Sequence, residues 1–209
     1  MVSIALSLVV GYLVGSVPTA YLFGKAVKKI DIRQHGSGNV GATNAFRILG
    51  KGPGTLVLLI DIFKGIFAIT VVGNVFGIDG VIWRVLLGVA VVVGHNWTVF
   101  LQFKGGKGIA TSLGVLIGLT IQYAALRVVL LVTVLSWVVV FLASGYVSLS
   151  SMIAAMAMAV MMLLTSQPVE LKVLGAVFCA FVLIRHQPNI HRLLARRETK
   201  VRFPFQRKK

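Results

Sequence analysis

The chain has 209 residues, of which 57% are hydrophobic and only 12% are charged. A soluble domain typically carries a charge on about a quarter of its residues. The chain therefore cannot cover a water-facing surface, and its composition indicates an integral membrane protein. The formal net charge of +16 does not imply a nucleic-acid partner, because in a membrane protein basic residues first report orientation. The single cysteine, Cys179, allows no disulfide within the chain.

Seven apolar segments are candidates for membrane helices, since a bilayer core needs roughly 20 apolar residues per helix. They cover residues 3–24, 55–78, 82–102, 108–121, 123–143, 147–166 and 170–187. The fourth is short and rich in glycine, so it could be tilted or partly re-entrant, and five full spans with two shorter pieces is the alternative. We expect an all-α, polytopic membrane bundle of about seven transmembrane helices, forming a single domain over residues 1–209.

The basic residues predict the orientation of this bundle. Lysines follow the first apolar segment instead of preceding it, which is the opposite of a signal peptide. The segment therefore reads as an uncleaved helix with its N-terminus outside. Seven crossings then put the C-terminus and 17 of the 21 Lys and Arg residues on the cytoplasmic side, as the positive-inside rule requires. The basic tail over 193–209 is expected to lie against anionic lipid.

The most polar stretch of the chain, "HGSGNVGATNAFR" at 35–47, contains an apparent dinucleotide-binding fingerprint. Gly36, Gly38 and Gly41 spell G-x-G-x-x-G, and Asp61 follows twenty residues later. That motif works only between a strand and a helix of a βαβ unit. Here it follows the charged end of a membrane helix, and Asp61 lies inside a span, so we reject a nucleotide site. Asp61 and Lys64 share a helix face and are expected to form a structural charge pair.

The glycines of this stretch suggest another kind of anion site. Glycine lets backbone N–H groups approach a ligand closely, and the short helix predicted over "GATNAFRIL" would offer unpaired N–H groups at its start. Asn44 and Arg47 would share a face of that helix. A solvated glycine loop without a function is the alternative. The candidate binding residues are Gly36, Ser37, Gly38, Asn39, Thr43, Asn44 and Arg47.

A second polar stretch, "GHNWTVFLQFKGGKG" at 94–108, has the composition of a phosphate-binding turn. Lys104 and Lys107 flank Gly105 and Gly106, and backbone donors combined with lysines make a generic phosphate cradle. The turn is not a Walker A motif, so ATP binding is not supported. His95 lies within the preceding span, where ionisable groups are costly and usually face a polar interior.

The third polar stretch is "RHQPNIHR" at 185–192, where Pro188 is expected to stop the last span. His186 and His191 lack the spacing of metal ligands, and the chain has only five acidic residues, so we expect no metal site and no cofactor. The candidate binding residues are Arg185, His186, Asn189 and Arg192.

All three polar stretches fall on the predicted cytoplasmic side. A site built from them would be rich in cations and amide donors and poor in carboxylates, so it should hold oxyanions at the membrane face. In this order, and with "DIFKG" at 61–65, the stretches resemble the bacterial acyl-phosphate:glycerol-3-phosphate acyltransferase family (PlsY). The resemblance covers the whole chain, and no His-x4-Asp motif of other acyltransferases is present.

The resemblance implies that a fatty acyl group passes from acyl phosphate to the 1-hydroxyl of glycerol 3-phosphate. The products would be lysophosphatidate and inorganic phosphate, without acyl-CoA or acyl carrier protein, in the first step of phospholipid synthesis. The protein would act at the cytoplasmic face of a bacterial inner membrane, in contact with membrane lipid. The acyl chain length and the oligomeric state stay open, with a monomer as one option.

This reaction suggests roles for the candidate residues. Ser37, Asn44 and Arg47 would hold the acyl phosphate head group, with Ser37 or nearby N–H groups facing the oxyanion. Lys104 and the turn 105–108 would neutralise phosphate. His186 and Asn189 would orient glycerol 3-phosphate, and the base for its hydroxyl could be His186, His95 or a substrate phosphate oxygen. No acyl-enzyme is expected, because acyl phosphate is already activated.

Two other classes of function compete with this reading. A transporter of phosphorylated solutes would want polar groups near mid-membrane and access from both faces, whereas here the polar groups gather at one face. A membrane scaffold without enzymatic activity would leave the three polar stretches unexplained.

Overall fold

A computed structural model describes residues 2–201, and within that range all regular elements are helical. The all-α prediction is therefore confirmed. The chain divides into two compact units at Leu126–Arg127. Five helical stretches in the described range, each of one or more consecutive helices, are long and apolar enough to cross a bilayer: Val2–Lys28, Lys51–Val75, Val81–Leu101, Leu126–Ser144 and Val147–Leu164. Many of their large apolar side chains are exposed, such as Phe63 and Val139, which suits a surface that faces lipid rather than water.

The first unit contains the first two polar stretches of the sequence. Its α-helices are α1 (Val2–Ser16), α2 (Thr19–Lys28), α3 (Ala42–Leu49), α4 (Lys51–Phe67), α5 (Gly73–Val75), α6 (Val81–Asn96) and α7 (Ile109–Gln122). Shorter 3₁₀ turns cover Ile32–Gln34 and Val99–Leu101, and a π-helical segment, Ala68–Val72, continues α4. Helix α1 packs along α6, α4 packs along α7, and α3 packs on α4.

The first apolar segment is not the single helix that the sequence analysis predicts over 3–24. It breaks at Pro18, which has no N–H and disfavours helical geometry at the residue before it. The carbonyl groups freed at the break accept hydrogen bonds from other parts of the first unit. Thr98 Oγ1 donates to the oxygen of Ser16 at 2.5 Å, and Lys64 Nζ donates to the oxygen of Val17 at 2.5 Å.

Helix α4 approaches α7 so closely that the contact requires glycine. A methyl group on Gly65 would overlap the carbonyl oxygen of Thr111, and one on Gly114 would overlap the carbonyl oxygen of Ile62. Small residues allow two membrane helices to bring their backbones together. This contact fixes the start of α7 beside α4.

The π-helical segment leaves backbone oxygens that an internal arginine satisfies. The side chain of Arg84 is buried and donates to the carbonyl oxygens of Ile69 and Ile78 and to Oδ1 of Asn74. Because unsatisfied backbone groups inside a membrane protein are costly, this arginine stabilises the end of α4.

The second unit contains the third polar stretch. Its helices are α8 (Leu126–Ser144), α9 (Val147–Leu164), α10 (Val169–Arg185) and α11 (Gln187–Leu194). Helices α9 and α10 pack together, and the indole N–H of Trp137 in α8 donates to Ser151 Oγ in α9 at 3.2 Å. Residues 202–209 of the basic tail lie outside the described residues, and the predicted membrane contact of the tail stays a prediction.

Candidate functional site

The loop that carries the first polar stretch is anchored by a capped 3₁₀ turn. The carboxylate of Asp31 accepts the backbone N–H of Arg33 at 3.0 Å and pairs with its guanidinium at 2.6 Å. The hydrogen bonds from Arg33 lower the pKa of Asp31 to about 2, against desolvation that would raise it. The carboxylate therefore stays ionised near neutral pH and fixes the chain just before the loop.

Asn44 holds this loop from within. It lies in α3, which confirms the short helix predicted after the glycines, and its side chain is buried. Its Oδ1 accepts the N–H of Ser37 at 3.0 Å, and its Nδ2 donates to the carbonyl oxygens of Ile32 at 3.3 Å and His35 at 3.0 Å. The amide is thus used to shape the loop, which favours a positioning role for Asn44 over contact with a substrate.

The two glycines on either side of Ser37 have backbone conformations that other residues rarely adopt. Gly36 has a φ of +62° and Gly38 one of +70°, and a methyl group on Gly36 would also overlap Asn44 Oδ1. The tight loop exposes the polar groups of Ser37, Thr43 and Arg47, while Asn39 is half-buried. Asn44 and Arg47 lie three residues apart in α3, but the side chain of Asn44 is buried whereas that of Arg47 is exposed.

The second polar stretch folds back on the end of α6. The N–H of Gly105 donates to the carbonyl oxygen of Asn96 at 3.2 Å, and the N–H of Gly106 donates to that of His95 at 3.0 Å. These two N–H groups are therefore already engaged within the protein. Lys104 is exposed and Lys107 is half-buried, so the cationic side chains of the turn are the groups best placed to meet a phosphate.

Gly106 is also the point where the first and second polar stretches meet. A methyl group there would overlap the imidazole of His95 and would lie 2.9 Å from the carbonyl oxygen of Val40. A small, partly open cleft lies at this meeting point. Its walls come from the break after α1, the loop before α3 and the glycine turn: Gly15, Ser16, Val17, Pro18, Thr19, Val40, His95, Thr98, Gly105 and Gly106.

Behind this cleft lies the predicted charge pair of α4. Lys64 Nζ contacts Asp61 Oδ1 at 2.7 Å, with both side chains buried, so the predicted pair is confirmed. The hydroxyl of Thr19 donates to the same carboxylate oxygen at 3.0 Å. His95 Nδ1 lies 3.8 Å from it.

In the second unit, the third polar stretch forms the junction between α10 and α11. Helix α10 ends at Arg185, two residues before the end of the predicted segment 170–187, and Pro188 lies in the first turn of α11. His186 sits at the junction with a buried side chain, and its Nδ1 lies 2.8 Å from the carbonyl oxygen of Val182. Asn189, one turn later, is also buried.

The sequence analysis missed Glu198, which organises this junction. Its carboxylate accepts hydrogen bonds from Ser148 Oγ at 2.7 Å, Asn189 Nδ2 at 2.6 Å and Arg192 Nε at 2.7 Å. Burial would raise the pKa of Glu198, but these hydrogen bonds and the charge of Arg192 outweigh it and lower the pKa below its usual value. A single acid in the basic sequence "ARRETK" was the signal available in the sequence.

Across residues 2–201, no three His, Cys, Asp or Glu side chains are grouped so that they could hold a metal ion. The expectation that the reaction uses no metal or cofactor stays a prediction, as do the roles of the individual site residues.

The whole length of the chain resembles one family of enzymes. The family model described as glycerol-3-phosphate acyltransferase matches residues 5–196. A glycerol-3-phosphate acyltransferase of Halalkalibacterium halodurans is 42% identical over 93% of this chain and 94% of that protein. One of Desulforudis audaxviator is 43% identical over 97% of this chain and 99% of that protein.

Solved structures agree with the sequence comparisons. The crystal structure of PlsY (YgiH), an integral membrane glycerol 3-phosphate acyltransferase, in its glycerol 3-phosphate form has a TM-score of 0.86 to this chain. It is 38% identical, and the match covers 96% of both chains. The lysophosphatidic acid form of PlsY gives a TM-score of 0.83 at 36% identity, again over 96% of both chains.

Proposed function

The chain belongs to the glycerol-3-phosphate acyltransferase family, and from that premise we propose how its residues move a fatty acyl group from acyl phosphate to the 1-hydroxyl of glycerol 3-phosphate. The products are lysophosphatidate and inorganic phosphate. The observation that carries the proposal is the meeting of the loop before α3 with the glycine turn at Gly106. There, Lys104 and Lys107 flank two glycines that line a cleft in an otherwise apolar protein, and phosphorylated substrates require such cationic groups.

The first unit supplies the groups for acyl phosphate. We assign Arg47 and Lys104, both exposed, to its phosphate, with Lys107 nearby. Ser37, held outward between two glycines, faces the developing oxyanion. Asn44 keeps the loop in shape, and Gly105 and Gly106 act by allowing the close approach of the chain. The other groups that we assign to substrate binding are Gly36, Gly38, Asn39, Thr43 and His95.

The third polar stretch contains the residues that we assign to the acceptor. We assign His186 and Asn189 to the orientation of glycerol 3-phosphate, with Arg185 and Arg192 adding positive charge. The 1-hydroxyl attacks the acyl carbonyl carbon, the oxyanion collapses, and phosphate leaves. The hydroxyl proton goes to His186, His95 or a phosphate oxygen of a substrate. Because phosphate is a good leaving group, positioning and charge stabilisation carry the rate, and no acyl-enzyme forms.

We further propose that both units form one acyltransferase domain with seven transmembrane helices, the N-terminus outside and the C-terminus in the cytoplasm. The family model spans both units, which supports a single domain. Helices α7 and α10 have 14 and 17 residues and are about 21 and 26 Å long at 1.5 Å per residue. Both are shorter than the roughly 30 Å hydrocarbon core of a bilayer, so they cross it only where they are not tilted and the bilayer is locally thin. The site then lies at the cytoplasmic face of a bacterial inner membrane.

An assay with defined substrates tests the proposal. Purified protein in detergent is mixed with palmitoyl phosphate and labelled glycerol 3-phosphate, without metal or CoA, and lysophosphatidate is measured. We expect product from the wild type and a fall of about 10–150-fold in kcat/KM for Arg47→Ala and Lys104→Ala, since a hydrogen bond to a charged group contributes about 1.5–3 kcal/mol. Full activity in both folded variants would contradict the site assignment.

A further inference from the structure

Three ionisable side chains are buried inside the first unit at the level where α1 breaks. Asp61, Lys64 and His95 keep 2%, 5% and 8% of their side-chain surface exposed. Asp61 is ten residues from the start of α4, or about 15 Å along the helix axis. Charged groups at such a depth are costly and mark functional sites more often than chance. If these side chains served only packing, apolar side chains of similar size could replace them without loss of stability.

The carboxylate of Asp61 is shared among groups from three helices. Its Oδ1 accepts from Lys64 Nζ and Thr19 Oγ1 and faces His95 Nδ1. Lys64 is itself held by the carbonyl oxygen of Val17 at the α1 break. The position of the carboxylate is therefore fixed, and its charged Oδ1 faces the imidazole of His95.

The other nitrogen of the same imidazole faces the glycine turn. His95 Nε2 occupies the space that a side chain on Gly106 would need, and the backbone oxygen of His95 accepts the N–H of Gly106. The imidazole thus lies between the carboxylate of Asp61 and the turn that carries Lys104 and Lys107. A carboxylate 3.8 Å from Nδ1 attracts a proton on that nitrogen and so favours the ring orientation in which Nε2 faces the turn.

From this arrangement we propose that Asp61 is a positioning residue that holds His95 against the glycine turn and thereby sets the affinity of that turn for a substrate phosphate. The inference rests on the proposed function, in which the turn binds phosphate. Lys64 balances the charge of Asp61 and ties the pair to the break after α1. The phosphate can belong to acyl phosphate or to glycerol 3-phosphate, and separate kinetics for each substrate distinguish them.

The first experiment measures Asp61→Asn in the acyl phosphate assay, with each substrate varied while the other is saturating. We expect the KM for one substrate to rise by about tenfold or more, with kcat within about twofold, because binding energy is lost equally in ground and transition state. The substrate whose KM rises is the one at the turn. A loss confined to kcat would overturn the proposal. The control is Asp79→Asn, the same change at an exposed acid.

A double-mutant cycle with His95→Gln separates positioning from a general effect on the fold. If Asp61 acts through His95, Asp61→Asn should change KM by less than about twofold in the His95→Gln background, since coupled residues are not additive. The same fold change in both backgrounds would mean that Asp61 supports the fold alone, and the proposal would be wrong.

Asp61→Asn leaves the ammonium of Lys64 buried without a carboxylate, so a second variant is needed. Asp61→Asn/Lys64→Met removes both charges together, and we expect a melting temperature near that of the wild type with the same rise in KM. A folded double variant with wild-type KM values, or failure of both variants to fold, would overturn the proposal. Absence of product from the wild type would instead contradict the proposed function.

Discussion

Polar side chains near the cleft of the first unit fall into two groups, those that shape the loops and those left to meet a substrate. Asn44 belongs to the first group, because its amide is bonded to the backbone of the 32–37 segment. Ser37 belongs to the second, since only its N–H is used by Asn44 and its side chain is exposed. A loop this constrained pre-organises the hydroxyl of Ser37 before substrate arrives, which is what electrostatic stabilisation of an oxyanion requires.

We therefore expect Ser37→Ala to lower kcat by about 10²–10³ while the protein stays folded, as the loss of one oxyanion donor does. The measurement is the initial rate of phosphate release from palmitoyl phosphate. Ser136→Ala, which removes a hydroxyl bonded within α8, is the matched control and should keep wild-type activity. An acyl adduct on Ser37 found by mass spectrometry of the wild type would show a nucleophile instead.

In the second unit, Glu198 is a side chain that shapes the structure around the third polar stretch. Its carboxylate is only 8% exposed and orders Ser148, Asn189 and Arg192 around one anion. We expect Glu198→Gln to destabilise the protein by about 1–3 kcal/mol, because buried donors lose a charged acceptor, and to lower kcat/KM through the release of Asn189. Glu170→Gln, in the first turn of α10, is the control and should cost no more than about 1 kcal/mol.

The contribution of Glu198 should also depend on pH in a defined direction. Because the folded protein lowers its pKa, this stabilisation is complete well above the ordinary Glu pKa of about 4.3 and is lost as pH falls through the folded pKa. The difference in melting temperature between wild type and Glu198→Gln should therefore be large at pH 7 and shrink below about pH 4. A constant difference over that range would show that the loss comes from packing.

At the scale of elements, two of the three glycines in α4 lie in opposite environments. A side chain on Gly65 would overlap the backbone of α7, whereas no atom of another element lies within 4 Å of the same position on Gly52. We expect Gly65→Ala to lower the melting temperature by several degrees and Gly52→Ala to change it far less, since alanine favours helix by up to about 1 kcal/mol while Pro53 disfavours helical geometry at the residue before it. Equal effects of the two substitutions would show that α4 and α7 do not depend on this close contact.

Much of this element structure could be predicted from the sequence, because apolar length alone specifies a membrane helix. Pro18 by itself predicts a break in the helix, but the apolar character of 3–24 favours a single helix over the whole segment. The π-helical segment after Phe67 has no comparable signal, since it depends on the side chain of Arg84 reaching backbone oxygens of another element.

The residues of the candidate site could be predicted from the composition of the polar stretches, but the directions of their side chains could not. Glycine-rich polar stretches in an apolar chain identified Ser37, Arg47 and Lys104, all of which are exposed. That Asn44 points inward depends on the path of the loop before α3, which sequence spacing alone does not specify. The link from Asp61 to His95 joins two helices and is likewise not specified by the sequence of either one.

At the scale of the whole molecule, charge distribution predicts how the protein lies in the bilayer. With seven crossings, the loop after α5 and the connection between α7 and α8 are outside, and the α3–α4 connection is in the cytoplasm. Helix α7 decides this count, because a re-entrant α7 would return the connection after it to the cytoplasmic side. The count and the orientation are therefore tested together by residues on these three connections.

Single cysteines introduced at Lys51, Asp79 and Ala124, all exposed, provide that test in a Cys179→Ala background. In right-side-out vesicles we expect a membrane-impermeant maleimide to label the Asp79→Cys and Ala124→Cys variants, and the Lys51→Cys variant only after permeabilisation. Labelling of all three in detergent is the control for reactivity. Labelling of Asp79→Cys without Ala124→Cys would mean that α7 does not cross. Labelling of Lys51→Cys alone would show that the orientation is the reverse of the predicted one. The side chains that we assign to phosphate would then face away from the cytoplasm, where phosphorylated substrates are made.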